Sequence, residues 1–235
     1  MQLHMLAFEG PDAYAQAGGI ASRVTGLTQA LATAGFDTHV WFVGDAVLPG
    51  HERRGRLHLH RWCQWLSQYY PAGVYDGEDC KQTDYAASLP PFLCHEVLLP
   101  YLQRGGRAVI FAEEWHTVHA VLHLDWLLRL AGLRDRATIL WNANNTFGFA
   151  WIDWQRLSAA ATITTVSRYM KHVMRQLGVY PLVIPNGLAP EAMELRNLLQ
   201  LWRFAVACGG GPCSAKWPGG IPTNTGCWRC RLSRH

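Results

Sequence analysis

Residues 3–31 open the chain as Leu3-His4-Met5-Leu6-Ala7-Phe8, then Ala15-Gln16-Ala17-Gly18-Gly19-Ile20-Ala21-Ser22-Arg23-Val24, then a stretch that carries Leu27 and Leu31. The first six residues are an apolar run short enough for a buried strand. Ile20, Val24, Leu27 and Leu31 recur at spacings of 4, 3 and 4, one face of an amphipathic helix. Between them lie two adjacent glycines. Strand, glycine-rich loop and helix is a layout that brings backbone amides close to an anion. The same layout also serves a tight turn that needs positive φ, which glycine supplies without steric cost. The glycine spacing fits neither nucleotide fingerprint, so both readings stay open at this point.

The alternation continues. Strand-like runs at Thr38–Val43, Leu57–Trp62, Arg107–Phe111, Ala137–Trp141, Ala161–Val166 and Pro181–Ile184 are separated by helical patterns at 84–104, Trp115–Leu130, Ile152–Ala160 and Ser167–Leu177. Residues 63–82 read as a long loop. Pro90-Pro91 is expected to break or kink the helix around it, and Gly178 to close the last one as a C′ glycine. Strands alternating with helices predict an α/β protein: a Rossmann-like, doubly wound parallel sheet covered on both faces. In such sheets the ligand lies beyond the carboxyl ends of the strands. That rule selects loops 9–19, 44–50, 112–116, 142–148, 167–168 and 185–188.

Composition narrows the function. The chain has 235 residues, 49% of them hydrophobic, enough for a large core. No apolar run approaches the roughly 20 residues that span a bilayer, and no secretory signal opens the chain, so a cytoplasmic protein is expected. The net charge of +4 belongs to the end: six of the 21 basic residues follow Glu194 and no acidic residue does. The preceding chain carries 15 basic against 17 acidic residues, which argues against nucleic acid as a partner. Neither a G-x-S-x-G elbow nor a P-loop motif occurs, so a hydrolase triad and a Walker-type nucleotide site have no support.

Among the selected loops, Phe111-Ala112-Glu113-Glu114-Trp115-His116-Thr117 places two carboxylates, an indole and an imidazole directly after a strand. Such groups contact polar substrates and tune one another's pKa, though Glu114 would also sit favourably near a helix N-terminus. His116, His119 and His123 invite a metal reading, with 119 and 123 at i, i+4, but no separate H-E-x-x-H motif or cysteine cluster completes a site, so none is expected there. Asn142, Asn144 and Asn145 after the next strand suit sugar hydroxyls, and equally suit turns. Ser167 reads as an N-cap whose neighbouring amides can still face a ligand.

Gly18-Gly19-Ile20-Ala21, then Leu27–Leu31 and Gly35-Phe36-Asp37 before a strand, resemble the opening of retaining GT-B glycosyltransferases of family 4, the group that includes glycogen synthases. Glu113-Glu114-Trp115-His116-Thr117 resembles that family's H-x-H-D-W-H-type segment. Thr165-Val166-Ser167-Arg168 through Gly178, with Val183-Ile184-Pro185-Asn186-Gly187-Leu188, resembles its "TVS…G…viPNGid" stretch. The resemblance implies that residues 1–195 are the acceptor-side, N-terminal half of a GT-B fold. It implies hexosyl transfer with retention from a nucleotide-sugar to a carbohydrate or other hydroxyl acceptor. No metal or other cofactor is implied.

By the same resemblance Gly18 and Gly19 line the diphosphate side of the cleft. His116, supported by Glu114, addresses the acceptor or transferred sugar, and Asn144, Ser167, Asn186 and Gly187 add polar contacts. Gln16-Ala17-Gly18-Gly19 lacks the lysine of the glycogen-synthase Lys-x-Gly-Gly, which points to a less specialised member.

Residues 196–235 depart from that family. They lack periodicity and gather Cys208, Cys213, Cys227 and Cys230. A displaced reading frame across 215–230 gives text that resembles the opening of the donor-binding domain. The tail is therefore expected to be out of frame, with a divergent tail and a small zinc module as the alternatives. Without a donor-binding domain the chain alone is expected to be inactive and to self-associate through its exposed interdomain face. Rival readings are a sugar- or nucleotide-binding module without catalysis, a zinc-stabilised interaction domain, and a nucleotide-sugar epimerase.

Overall fold

The computed structural model describes residues 1–187, and the readings of the tail and of a boundary at residue 195 lie outside them. Strand β1 (Gln2–Leu6) leads through a 3-10 turn at Ala13–Ala15 into α1 (Gly19–Thr33), followed by β2 (Asp37–Val43). Next come β3 (His51–Arg54), β4 (Leu57–Trp62), α2 (Gln64–Ser67) and α3 (Glu78–Phe92). A π turn at Leu93–Leu98 and α4 (Leu99–Gln103) precede β5 (Ala108–Glu113), and α5 (Val118–Leu130) precedes β6 (Ala137–Ala143). The described part closes with α6 (Trp154–Ala160), β7 (Thr162–Thr165), α7 (Arg168–Gln176) and β8 (Leu182–Val183).

These eight strands form one sheet in the order β3-β4-β2-β1-β5-β6-β7-β8. Seven run parallel, and β3 is antiparallel to β4 through a turn at Gly55-Arg56. The chain builds outward from β1 to one side, then crosses over to β5 and builds to the other. The topological switch point therefore lies between β1 and β5, where ligands of open α/β sheets bind. One face buries Met5, Ala7, Val40 and Phe42 beneath Val24 of α1. The other buries Leu6, Trp41, Ile110 and Ala112 beneath Tyr85 and Leu89 of α3 and Val121 and Leu124 of α5.

Three local readings change. The stretch read as loop from 63 to 82 contains α2 and the start of α3, which begins six residues before the expected position. Gly77 at φ +65° turns the chain into it, and a Cβ there would strike the Tyr70 ring at 2.4 Å. Glu78 and Asp79 then supply first-turn negative charge, which the helix dipole favours. The break expected at Pro90-Pro91 falls one residue later, where α3 ends at Phe92, and the chain stays helical beyond it. Pro90 has no N–H to give the Ala86 carbonyl; the His123 ring on α5 lies at 3.2 Å from that oxygen and supplies the missing donor through Nδ1. Widening into the π turn follows at once.

The positive-φ explanation of the double glycine is also corrected. Gly18 has φ −168°, extended backbone open to any residue, and Gly19 is the first residue of α1. A Cβ on Gly18 would meet only Glu9 Oε2 at 4.0 Å, and one on Gly19 would meet nothing within 4 Å. Neither packing nor conformation requires glycine here.

Candidate active site

The carboxyl edge on either side of the switch point carries two hydrogen-bonded groups of side chains. The first gathers around His116. Its ring stacks on Phe8 from the β1–α1 loop, with centroids 4.4 Å apart and 12° between planes. Tyr75 leans against it at 5.6 Å. His116 Nε2 lies 2.6 Å from Glu78 Oε1 at the start of α3. A carboxylate accepts, so Nε2 carries the hydrogen and, in the neutral ring, Nδ1 keeps the lone pair. Burial lowers the His116 pKa, and Glu78 opposes that shift.

Glu9 completes this group. Its Oε1 accepts from the Tyr75 hydroxyl at 2.6 Å, and its Oε2 accepts from the amides of Gly18 at 3.0 Å and Ala21 at 3.1 Å. The protein's own carboxylate thus caps α1, where a negative charge is favourable. The amides of Gly19 and Ile20, between those two in sequence, have no partner among the described residues. Gly18 and Gly19 are exposed.

The second group centres on Glu113, the last residue of β5. Its Oε1 accepts from Arg23 Nε of α1 at 3.0 Å. Its Oε2 accepts from the side-chain amides of Asn142 and Asn144, both at 2.9 Å. Arg23 also donates to Asn186 Oδ1, which ties the chain after β8 to α1. Next to it Glu114 adopts φ +65°, a conformation that non-glycine residues adopt at a cost of order 1–3 kcal/mol. The turn is held by its carbonyl, which accepts from the Thr117 amide at 3.1 Å and from Trp141 Nε1 at 3.1 Å. Its buried carboxyl accepts from the Asn144 amide at 2.6 Å and the Asn145 amide at 3.3 Å. Burial raises its pKa to about 7, with the Asn144 hydrogen bonds opposing and Glu113 adding to the rise. Glu114 therefore changes charge near neutrality, the range that suits proton transfer.

The structure brings His116, Gly18, Glu114 and Asn144 to one sheet edge and joins Asn186 to it through Arg23. Glu114 does not hold His116; that partner is Glu78. Ser167 caps α7, its Oγ accepting from the Met170 amide at 3.1 Å. It has no hydrogen bond to either group among the described residues. Gly187 is exposed, with nothing within 4 Å of a Cβ built on it. The sequence reading missed Glu9, Arg23, Tyr75 and Glu78. Gly77 followed by two acidic residues is a helix-start signal that could have found Glu78. Glu9 falls in the selected loop 9–19 but carries no motif of its own, and Arg23 and Tyr75 have no local mark.

An aromatic group flanks the edge: Trp151 and Phe147, both mostly exposed, stand 5.1 Å and 5.8 Å from the Trp115 ring. Gly148 at φ +76° turns the chain between them, and any Cβ there would meet Trp115 at 2.3 Å. Loop 9–18 is held from the other side by a buried bidentate pair. Arg61 Nε and Nη2 donate to the two carboxylate oxygens of Asp12 at 2.7 Å and 3.0 Å. Lys81, fully buried, donates from Nζ to the Tyr14 hydroxyl and to the carbonyls of Gly73, Val74 and Asp76, pinning loop 70–77 beside it.

Comparison with known proteins supplies the family. The chain matches solved structures of glycosyl-transferring enzymes. The catalytic domain of starch synthase IV from Arabidopsis thaliana, bound to ADP and acarbose, aligns at a TM-score of 0.57 and 14% identity, over 81% of this chain and 52% of that one. An α,α-trehalose 6-phosphate synthase from Burkholderia multivorans aligns at a TM-score of 0.43 and 16% identity, over 88% and 54%. The chain thus spans about half the length of these structures. No curated protein matches. The first alignment shows the shared Rossmann-like GT-B fold. The model of Glycosyltransferase Family 4 matches residues 17–192, from the double glycine through the Pro-Asn-Gly segment, and the chain belongs to that family.

Proposed function

We propose that this domain forms the acceptor-side wall of an enzyme that moves a hexosyl group from a nucleotide-sugar to a hydroxyl acceptor with retention. The observation that carries the reading is Gly19. It is exposed, unforced by packing or φ, and begins a helix whose neighbouring amides Glu9 has already oriented. A side chain there would stand where a ligand has to come close to the Gly19 and Ile20 amides. Two donors at a helix N-terminus suit the negative charge that develops on a departing diphosphate, which has to share that terminus with the Glu9 carboxylate against its like charge. The ADP bound to the starch synthase of similar fold supports a nucleotide diphosphate as that group.

His116, neutral and fixed by Glu78 and Phe8, offers Nδ1 to a hydroxyl of the acceptor or of the transferred sugar. Glu114 and Asn144 order the loop beside it. Asn186, Gly187 and Ser167 are read as contributors of polar contacts from the β7–β8 side. Trp151 and Phe147 give apolar faces for sugar rings, and their exposure also favours self-association. No step in this reading requires a metal. No helix of the described residues is long and apolar enough to cross a membrane. Cys63, Cys80 and Cys94 form no disulfide among the described residues, which suits the reducing cytoplasm in which we place the reaction.

Retaining transfer needs the donor held between two domains, and the described residues provide one wall. We therefore expect the 235-residue chain to bind without turning over. Isotope-labelled chain titrated with UDP-glucose and ADP-glucose should shift the amide resonances of Gly18 to Ala21. A radiolabelled transfer assay on a glucan should show no steady product. Unmoved amides would overturn the site. Steady transfer would overturn the inactivity while supporting the chemistry.

A further inference from the structure

At the opposite, amino end of the sheet the strands carry a layer of imidazoles. His4 of β1, His39 of β2, His58 and His60 of β4 and His51 of β3 stack at centroid separations from 4.5 to 6.4 Å. We propose that Asp37, His39 and His58 form a binding site for one divalent ion of the zinc class, on the far edge of the sheet from the sugar-transfer groups. One donor atom from each of the three lies within 4.8 Å of the others. His58 Nε2 is 3.2 Å from Asp37 Oδ1, and His39 Nε2 is 3.8 Å from Asp37 Oδ2. Tetrahedral zinc with bonds of about 2.0–2.1 Å sets its donors about 3.3 Å apart. Closing the set requires the His39 and His58 rings, stacked with 15° between their planes, to turn their Nε2 atoms toward one ion.

Further support comes from how the ring nitrogens are engaged. His39 Nε2 and His58 Nε2 are buried, face only the Asp37 carboxylate, and have no well-aligned hydrogen bond among the described residues. The opposite nitrogen of each ring is engaged: His39 Nδ1 with His60 Nε2 at 3.0 Å, and His58 Nδ1 with His51 Nε2 at 3.4 Å. When each Nδ1–H donates outward, each Nε2 presents a lone pair to the site. Outer partners that fix tautomer and ring plane are the usual companions of metal-bound histidine.

The three ligands also sit on rigid backbone. Asp37 and His39 alternate along β2, and His58 is the register partner of His39 on β4. The Asp37 side chain is 37% exposed, which gives the ion a way in. Gln2, the register partner of Asp37 on β1, carries a further buried oxygen without a partner, a candidate fourth donor. Two imidazoles and a carboxylate suit zinc or cobalt better than the all-oxygen shells of calcium and magnesium. The ion would tie β2 to β4 at their starts. This inference does not depend on the sugar-transfer reading.

The test uses the full 235-residue chain, stripped with chelator, beside a version with Cys208, Cys213, Cys227 and Cys230 changed to Ser. That control removes thiolate binding by the tail. The version without the four tail cysteines should take up one equivalent of Co²⁺ with visible d–d bands and no thiolate charge-transfer band, and Zn²⁺ should displace it. In the background without the four tail cysteines His58→Gln and Asp37→Asn should each weaken Zn²⁺ binding tenfold or more by calorimetry, and His119→Gln should leave it unchanged. Asp37→Asn, at a partly exposed position, keeps the test available if His58→Gln fails to fold. Absence of stoichiometric binding without the four cysteines, or unchanged affinity in Asp37→Asn, would overturn the proposal.

Discussion

Glu114 holds a strained backbone and a sealed carboxyl group, so its protonation is coupled to folding. Its pKa is raised from 4.5 to about 7. Between those values the native state binds one proton more than the unfolded state, so this group's contribution falls as pH rises and stays low above 7. Glu114→Gln mimics the protonated form and keeps an oxygen to accept from the Asn144 and Asn145 amides. The variant should match the parent near pH 4 and exceed it at pH 8 by about 2 kcal/mol. Each tenfold change in proton affinity is worth about 1.4 kcal/mol, and partial solvent screening reduces the sum. Urea unfolding at both pH values measures this; equal stability at pH 8 would contradict it. The sequence showed that Glu114 and His116 stand at a strand's end. It did not show that the carboxylate on His116 is Glu78, because a contact across 38 residues leaves no trace in local spacing.

At the scale of elements, the parallel strands were legible because buried runs such as Trp41-Phe42-Val43 have no other place in a folded chain. Strand β3 was not: His51-Glu52-Arg53-Arg54 lies at an edge, where pairing needs no apolar face. Its role is partly electrostatic, since Glu52 Oε2 accepts from Arg61 Nη2 at 2.8 Å. The Arg61–Asp12 pair joins β4 to the loop that carries Glu9 and the double glycine. Gly44 makes room for it, because any Cβ there would meet Arg61 Cβ at 2.2 Å. Replacing Arg61 with Met leaves Asp12 buried and unpaired, which should cost about 3–5 kcal/mol. Adding Asp12→Asn should restore part of that loss. A denaturant series on the two variants decides it, and a change below about 1 kcal/mol in the single variant would sink the claim.

Across the whole molecule, strand order explains why the candidate residues meet. Crossing from β1 to β5 sets the loops after those two strands side by side, so Phe8 and Glu9 face Glu113 to His116 over some hundred residues of sequence. The double glycine marks that place in the sequence, but its reason is visible only in the structure, where neither residue needs to be glycine for the fold. The most direct measurement is calorimetric titration of the chain and of Gly19→Val with UDP, ADP and their glucose derivatives. The account predicts binding of at least one nucleotide by the parent. It predicts at least a tenfold loss, about 1.4 kcal/mol, in the variant at unchanged melting temperature. Equal affinity in Gly19→Val, or no binding by the parent, would contradict it.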